Sequence, residues 1–188
     1  MWYINLVAKN IIPDWIIRFK IRQLLKLRLK EESQGPIELR QKKLMKLIDE
    51  LKASPIAINT VDANEQHYEV PTEFYKLVMG KHLKYSCGLW QNGKKNQDNS
   101  ERDMLELTSE RAELSDGQDI LELGCGWGSL TLFMAKKFPK SKITAVSNSR
   151  TQKEYIDNQI EKKELNNVKV ITADMNDFFI ESKFDRVV

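Results

Sequence analysis

The spacing of apolar and polar positions changes part-way along the chain. From Asp14 to about Glu32, Ile17, Ile21, Leu24 and Leu25 recur at helical spacing, while Arg18, Arg22, Lys26 and Lys30 form a basic stripe four residues apart. Asp14 is the expected N-cap. Ser33-Gln34-Gly35-Pro36 breaks the pattern. A second helix is expected from Ile37 to Lys52, with Leu39, Leu44, Leu47, Ile48 and Leu51 facing inward, and Ser54-Pro55 ends it. Together these helices read as an arm that needs another surface to bury its apolar face. Residues 59–90 are irregular and rich in aromatics and glycines, with one short helix, Pro71–Met79, whose leading proline suits a helix start. Gln91–Ser100 reads as a surface loop. Glu101–Leu114 reads as a helix with Met104, Leu105 and Leu107 apolar, closed by the turn Ser115-Asp116-Gly117.

Beyond that turn, strands alternate with helices. The expected strands are Asp119–Leu123, Lys142–Val146, Val168–Ile171 and Asp185–Val188, and the helices between them Leu130–Phe138 and Arg150–Lys163. This order predicts parallel βαβ units with right-handed crossovers, an α/β fold. The chain then divides into a helical arm (1–58), a lid region (59–100) and a Rossmann-like domain (101–188). Phe184-Asp185-Arg186-Val187-Val188 reads as the start of a buried strand rather than as a chain end, which is usually exposed. The expectation is a sheet truncated after about four strands.

Composition narrows the class. With 188 residues, 41% hydrophobic and 30% charged, the chain fits a globular protein and argues against disorder or a disulfide scaffold. No long uncharged apolar run predicts a membrane span, and the first residues lack the basic start and cleavage site of a secretory signal. The net charge of +3 is uneven, because residues 1–52 hold twelve basic and six acidic residues. A basic arm could contact anionic lipid at a membrane surface, nucleic acid or the body itself, and a solvated helix face is the favoured account. Nucleic acid is not expected as a partner. Cys87 and Cys125 stand alone, so a reduced, cytoplasmic protein without a metal site is expected.

The chemistry concentrates in Ile120-Leu-Glu-Leu-Gly124-Cys125-Gly126-Trp127-Gly128, between the first Rossmann strand and its helix. Glycines here let the backbone approach a ligand closely, and the helix that follows offers free N–H groups. A dinucleotide fingerprint would need its third glycine at position 129, which is Ser129, and an acid at the end of the second strand, where the chain reads Val146-Ser147-Asn148-Ser149. A P-loop is excluded, since no GKS or GKT follows. S-adenosylmethionine fits better. Glu122 could organise its ammonium group, and Ser147, Asn148 and Gln152 could bond the ribose. Asp174 could accept from the adenine amino group while Met175 covers the ring. A simpler account makes Ser147 and Asp174 helix caps.

The stretches HYEVPTEFYKLVMGKHLKYSCGLW (67–90), MLELTSERAELSDGQDILELGCGWGSLTL (104–132), AVSNSRTQKEYI (145–156) and ITADMNDF (171–178) resemble one superfamily of S-adenosylmethionine-dependent methyltransferases. It joins the cyclopropane fatty acid and mycolic acid cyclopropane synthases with coclaurine N-methyltransferase-like enzymes. VPTEFY, LKYSCGLW and SNSRTQ look closest to the N-methyltransferase branch. The resemblance implies a class I methyltransferase sheet. It also implies that Tyr85 and Ser86 close over the carboxylate end of the cofactor, and that Gly124, Gly126, Ser147, Gln152, Asp174 and Met175 contact it. Cys87 falls where cyclopropane synthases carry a cysteine near bound bicarbonate, unless it is a small buried packing residue. His67-Tyr68 matches a family pair. Trp90 and Trp127 are expected to pack the cofactor loop, and His82 to lie on the surface.

In this family the acidic residues and histidine of the active centre follow the fourth strand, so the catalytic groups are expected beyond Val188. The expected activity is methyl transfer to an amine-bearing small molecule. The alternatives are modification of unsaturated acyl chains in phospholipid, with the arm docking on the membrane, or a catalytically inactive cofactor-binding remnant.

Overall fold

A computed structural model describes residues 2–58, 70–91 and 96–188. The chain forms two compact units, Met1–Pro55 and Ile56–Val188.

The first unit holds α1 (Trp2–Ala8), α2 (Asp14–Glu32) and α3 (Ile37–Ala53). Sequence pattern finds α2 and α3 and misses the short α1. Asp14 is the first residue of α2 rather than its cap; Pro13 takes the cap position, and Asp14 instead pairs with Arg18 one turn on. No side chain of α2 or α3 is buried. Leu39, Leu44, Leu47 and Leu51 are all exposed, so the expected inward face of α3 buries nothing substantial.

The second unit carries α4 (Thr72–Val78), α5 (Gln97–Arg111), β1 (Asp119–Leu123), α6 (Ser129–Lys137), β2 (Lys142–Ser147), α7 (Arg150–Lys162), β3 (Val168–Thr172) and β4 (Arg186–Val187). All pairings are parallel and the strand order is β3-β2-β1-β4. The Rossmann elements fall within a residue or two of expectation. Two earlier boundaries need correction. Pro71 caps α4 instead of opening it. Helix α5 begins four residues before Glu101, because Asn96 accepts from the Asp98 backbone N–H and supplies a cap where a loop was expected.

The core lies on both faces of the central strands. Ile120 and Ile143 pack against Met134, Ala135 and Phe138 of α6 and the residue that follows it. Ala145 and Val170 pack against Ile156 of α7 and Cys125. A third cluster joins Tyr75 of α4 and Leu83 to Trp127, with the Tyr75 and Trp127 rings 4.7 Å apart between centroids. Each fully buried side chain of this size contributes about 1.5–3 kcal/mol. The third cluster therefore ties α4 and the chain after it to the glycine loop.

Candidate functional site

The chain runs outward from β1 to β2 and β3, then returns to the other side of β1 as β4. The carboxyl end of β1 is thus the switch point, where parallel sheets leave a crevice for ligands. The glycine loop fills that position. Gly124 and Gly126 have φ of +78° and +53°, and a Cβ built on either would meet nothing within 4 Å. They face open space. Gly128 differs, since a Cβ there would lie 2.6 Å from Ile156 Cγ1, so its role is packing. The Gly124 and Cys125 N–H groups both donate to the Val146 carbonyl, at 3.0 and 2.9 Å, which fixes the loop to β2.

A cavity of about 290 Å³ opens over the loop, walled by Tyr85, Ser86, Glu122, Gly124 and Gly126 of the expected residues. Glu122 is buried and accepts a 2.5 Å hydrogen bond from Thr131 Oγ1. Burial pushes its carboxyl up to about 7, opposed by the Thr131 hydrogen bond and by Lys84. Burial, then the adjacent Glu122, push the Cys125 thiol up to about 12, which keeps it protonated near neutral pH. Trp127 Nε1 and Ser129 Oγ, on two residues of the same cavity wall, are buried without a hydrogen-bond partner among the described residues. Buried polar atoms rarely stay unsatisfied, so both suit a polar ligand.

Ser147, Asn148, Gln152, Asp174 and Met175 gather at the carboxyl ends of β2 and β3, outside the walls of that cavity. Ser147 Oγ donates to Gln152 Oε1 at 2.7 Å and accepts from the Ser149 N–H at 3.1 Å. Ser149, not Ser147, caps α7 by accepting from the Gln152 N–H. That corrects the simpler account of Ser147. Gln152 Nε2 is buried with no partner. Asp174 accepts from the Asn176 N–H at 2.9 Å in a local turn.

Two residues escaped the sequence reading. Lys84 lines the cavity and donates to Ser86 Oγ at 2.6 Å. Glu101 is buried and accepts from the Gly80 and His82 N–H groups, at 2.9 Å each, holding the segment that leads to Tyr85. Its signal was available, because Glu101 shares a helix stripe with the buried Leu105 and Ser109. Other expectations need correction. Cys87 is exposed and outside the cavity walls, so it is not a packing residue. Trp90 is exposed while Trp127 is buried, so Trp127 alone packs the loop. His82 is partly buried, and burial lowers its pKa. His67 and Tyr68 lie outside the described residues.

The profile of the mycolic acid cyclopropane synthetase family matches residues 57–188. The chain belongs to that family. It is 38% identical over 179 residues to an (S)-coclaurine N-methyltransferase of Thalictrum flavum subsp. glaucum, covering 95% of this chain and 50% of the relative. It is 26% identical to the cyclopropane-fatty-acyl-phospholipid synthase of Escherichia coli (strain K12), over 66% of this chain and 31% of that one. A crystal structure of a coclaurine N-methyltransferase bound to N-methylheliamine and SAH superposes with a TM-score of 0.89 at 34% identity, covering 100% of this chain and 55% of the other. The family chain described here therefore has the class I methyltransferase fold, and it spans about half the length of the curated relatives it matches.

Proposed function

We propose that this family member binds S-adenosylmethionine at the carboxyl edge of its sheet and serves methyl transfer to the nitrogen of a small amine. One observation carries the reading. Glu122, buried at the switch point with Thr131 as its one hydrogen-bond donor among the described residues, lines a cavity whose walls also hold Trp127 Nε1 and Ser129 Oγ, unpartnered among those residues. A ligand ammonium there gives the carboxylate a counter-charge and a donor. Lys84 and Ser86 would take the ligand's carboxylate, with Tyr85 over it, while Gly124 and Gly126 leave the backbone open to close approach. The paired Ser147 and Gln152 would hold the ribose, helped by Asn148, and Asp174 with Met175 would hold the adenine.

When bound, the cofactor would supply an electrophilic methyl on a sulfonium, which an amine lone pair would take up as the S–C bond breaks and the sulfur is released as a neutral thioether. The residues of this chain contribute binding and orientation, which bring the reacting atoms into line. No residue described here is assigned the proton lost by the amine. The higher identity and wider coverage of the plant N-methyltransferases favour an amine over an acyl chain.

The lipid reading has its own support in α2, which exposes Trp15, Leu24 and Leu29 beside Arg18, Arg22 and Lys26. Salt-sensitive binding of the chain to anionic vesicles, absent for neutral ones, would favour it. No helix among the described residues is long and apolar enough to cross a membrane. Both cysteines are free, in keeping with a cytoplasmic setting. Calorimetry with S-adenosylmethionine tests the leading reading, which requires saturable one-to-one binding that is weakened by Glu122→Gln. Absence of heat and of thermal stabilisation would overturn it.

A further inference from the structure

A second, larger cavity lies on the helical side of the same unit, about 620 Å³ in volume and within the size range of small-ligand sites. One stripe from each of three helices builds it. Helix α6 contributes Leu132 and Phe133 to the floor and Lys136 and Lys137 to the wall. Helix α7 adds Tyr155 and Gln159, with Lys163 just beyond its end, and α5 adds Arg102 and Glu106. Lys81 and His82 close one end. Five cations thus surround an apolar floor with one acid among them.

The ion pairs leave this charge largely uncompensated. Glu106 pairs with Lys137, and Arg102 with Asp103 at 3.4 Å. Lys163 has the neutral Gln159 as its hydrogen-bond acceptor. Among the described residues, no carboxylate forms an ion pair with the side chains of Lys81, Lys136 or Lys163, although Asp98 accepts from the Lys81 backbone N–H at 2.9 Å. Burial and the neighbouring Lys162 and Lys136 lower the pKa of Lys163, in accord with crowded positive charge. His82 Nε2 is buried with no hydrogen-bond partner. Cations at helix C-termini also complement the helix dipole, and that accounts for Lys136 and Lys137. It does not account for Lys81 and Arg102, which end no helix and still line the same cavity.

We propose that this groove is a binding site for a phosphomonoester bearing a compact apolar or aromatic group. The dianion lies among Lys81, Lys136 and Lys163, and the apolar group rests on Leu132, Phe133 and Tyr155. S-adenosylmethionine lacks a phosphate, and its proposed site lies across Ser129 in the other cavity, so the two sites are distinct. The phosphate could belong to a soluble metabolite or to a lipid headgroup.

Titration of the full chain with phenyl phosphate, inorganic phosphate and phenol by calorimetry tests the site. Phenyl phosphate should bind at least tenfold more tightly than either fragment of it. The Lys136→Glu/Lys163→Glu double variant, altered only at exposed positions, should weaken it at least tenfold. Lys140→Glu, outside the groove, should leave it within twofold. The double variant should melt only a few degrees below the parent, the loss coming from acids placed at the C-terminal ends of α6 and α7, and should bind S-adenosylmethionine as the parent does, which separates this site from the cofactor reading. Vesicles of phosphatidylcholine with and without phosphatidic acid separate the two sources. Vesicle binding lost in the double variant assigns a lipid headgroup, and phenyl phosphate binding without vesicle binding assigns a soluble phosphomonoester. If neither probe binds, or if the double variant binds phenyl phosphate as well as the parent does, the proposal is overturned.

Discussion

Two buried carboxylates sit in the second unit, and they are used in opposite ways. Glu101 accepts two backbone N–H groups, from Gly80 and His82, and so spends its hydrogen-bonding capacity on the fold. Glu122 has a single side-chain donor, Thr131, and stands at the wall of a cavity. A buried charge without enough partners is costly, and the cost appears as a carboxyl raised to about 7. The contrast separates an acid committed to the fold from one that keeps hydrogen-bonding capacity at a cavity wall.

The largest effect is expected at Glu101. Glu101→Ala leaves the buried Gly80 N–H and the partly buried His82 N–H without an acceptor, at about 1–3 kcal/mol for a buried group and less for a partly buried one, so stability should fall by about 3 kcal/mol in denaturant melts. Cofactor affinity should drop as well, because the segment carrying Lys84, Tyr85 and Ser86 loses its anchor. Retention of parental stability would erase the structural half of the contrast.

Glu122 should act through pH. Its folded pKa of about 7 exceeds the ordinary 4.5, so the folded state holds a proton that the unfolded chain has released between those values. Stability from this group is therefore full below pH 4.5 and is lost as pH rises through about 7, a change on the order of 3 kcal/mol. Melts of the ligand-free chain from pH 5 to pH 8 should show this decline, and Glu122→Gln should flatten it.

A smaller effect is expected from Gly126→Ala. The left-handed backbone costs an alanine about 1–2 kcal/mol, yet its Cβ meets open space. Stability should fall by about 1 kcal/mol while cofactor affinity falls about tenfold, because the methyl enters the space left for the ligand. The least effect belongs to Lys84→Met. It should weaken cofactor binding a few-fold and push the Glu122 carboxyl further up, which a shift in the pH dependence of the melts would show.

Legibility followed the same division. The strands β1 to β3 and helices α6 and α7 were readable because strands covered on both faces are short apolar runs bounded by turns, alternating here with helical segments. Glu122, Gly124 and Gly126 stood out because glycines between a strand and a helix let the backbone turn sharply, and all three line one cavity. The burial of Glu101 was legible from its helix stripe with Leu105 and Ser109, but its purpose was not, since its partners Gly80 and His82 lie about 20 residues away and belong to no regular element. Lys84 was missed because nothing in a lone lysine announces a nearby buried acid. The start of α5 was missed because Asn96 caps it from within a polar run that resembles a loop. The arm showed the reverse failure. Helical period was read correctly in α2 and α3, but period alone says nothing of burial, and Leu44 and Leu51 are exposed.

The most direct test measures S-adenosylmethionine binding to the chain and to Glu122→Gln by calorimetry from pH 6 to pH 8, in buffers of different ionisation enthalpy. If Glu122 is reserved for the ligand's ammonium, parental affinity rises with pH through about 7 and binding releases a proton below that value. Glu122→Gln then binds at least tenfold more weakly at pH 8, with no proton release from this group. Equal affinity of the two proteins across the range, with no proton linkage in the parent, would contradict the account.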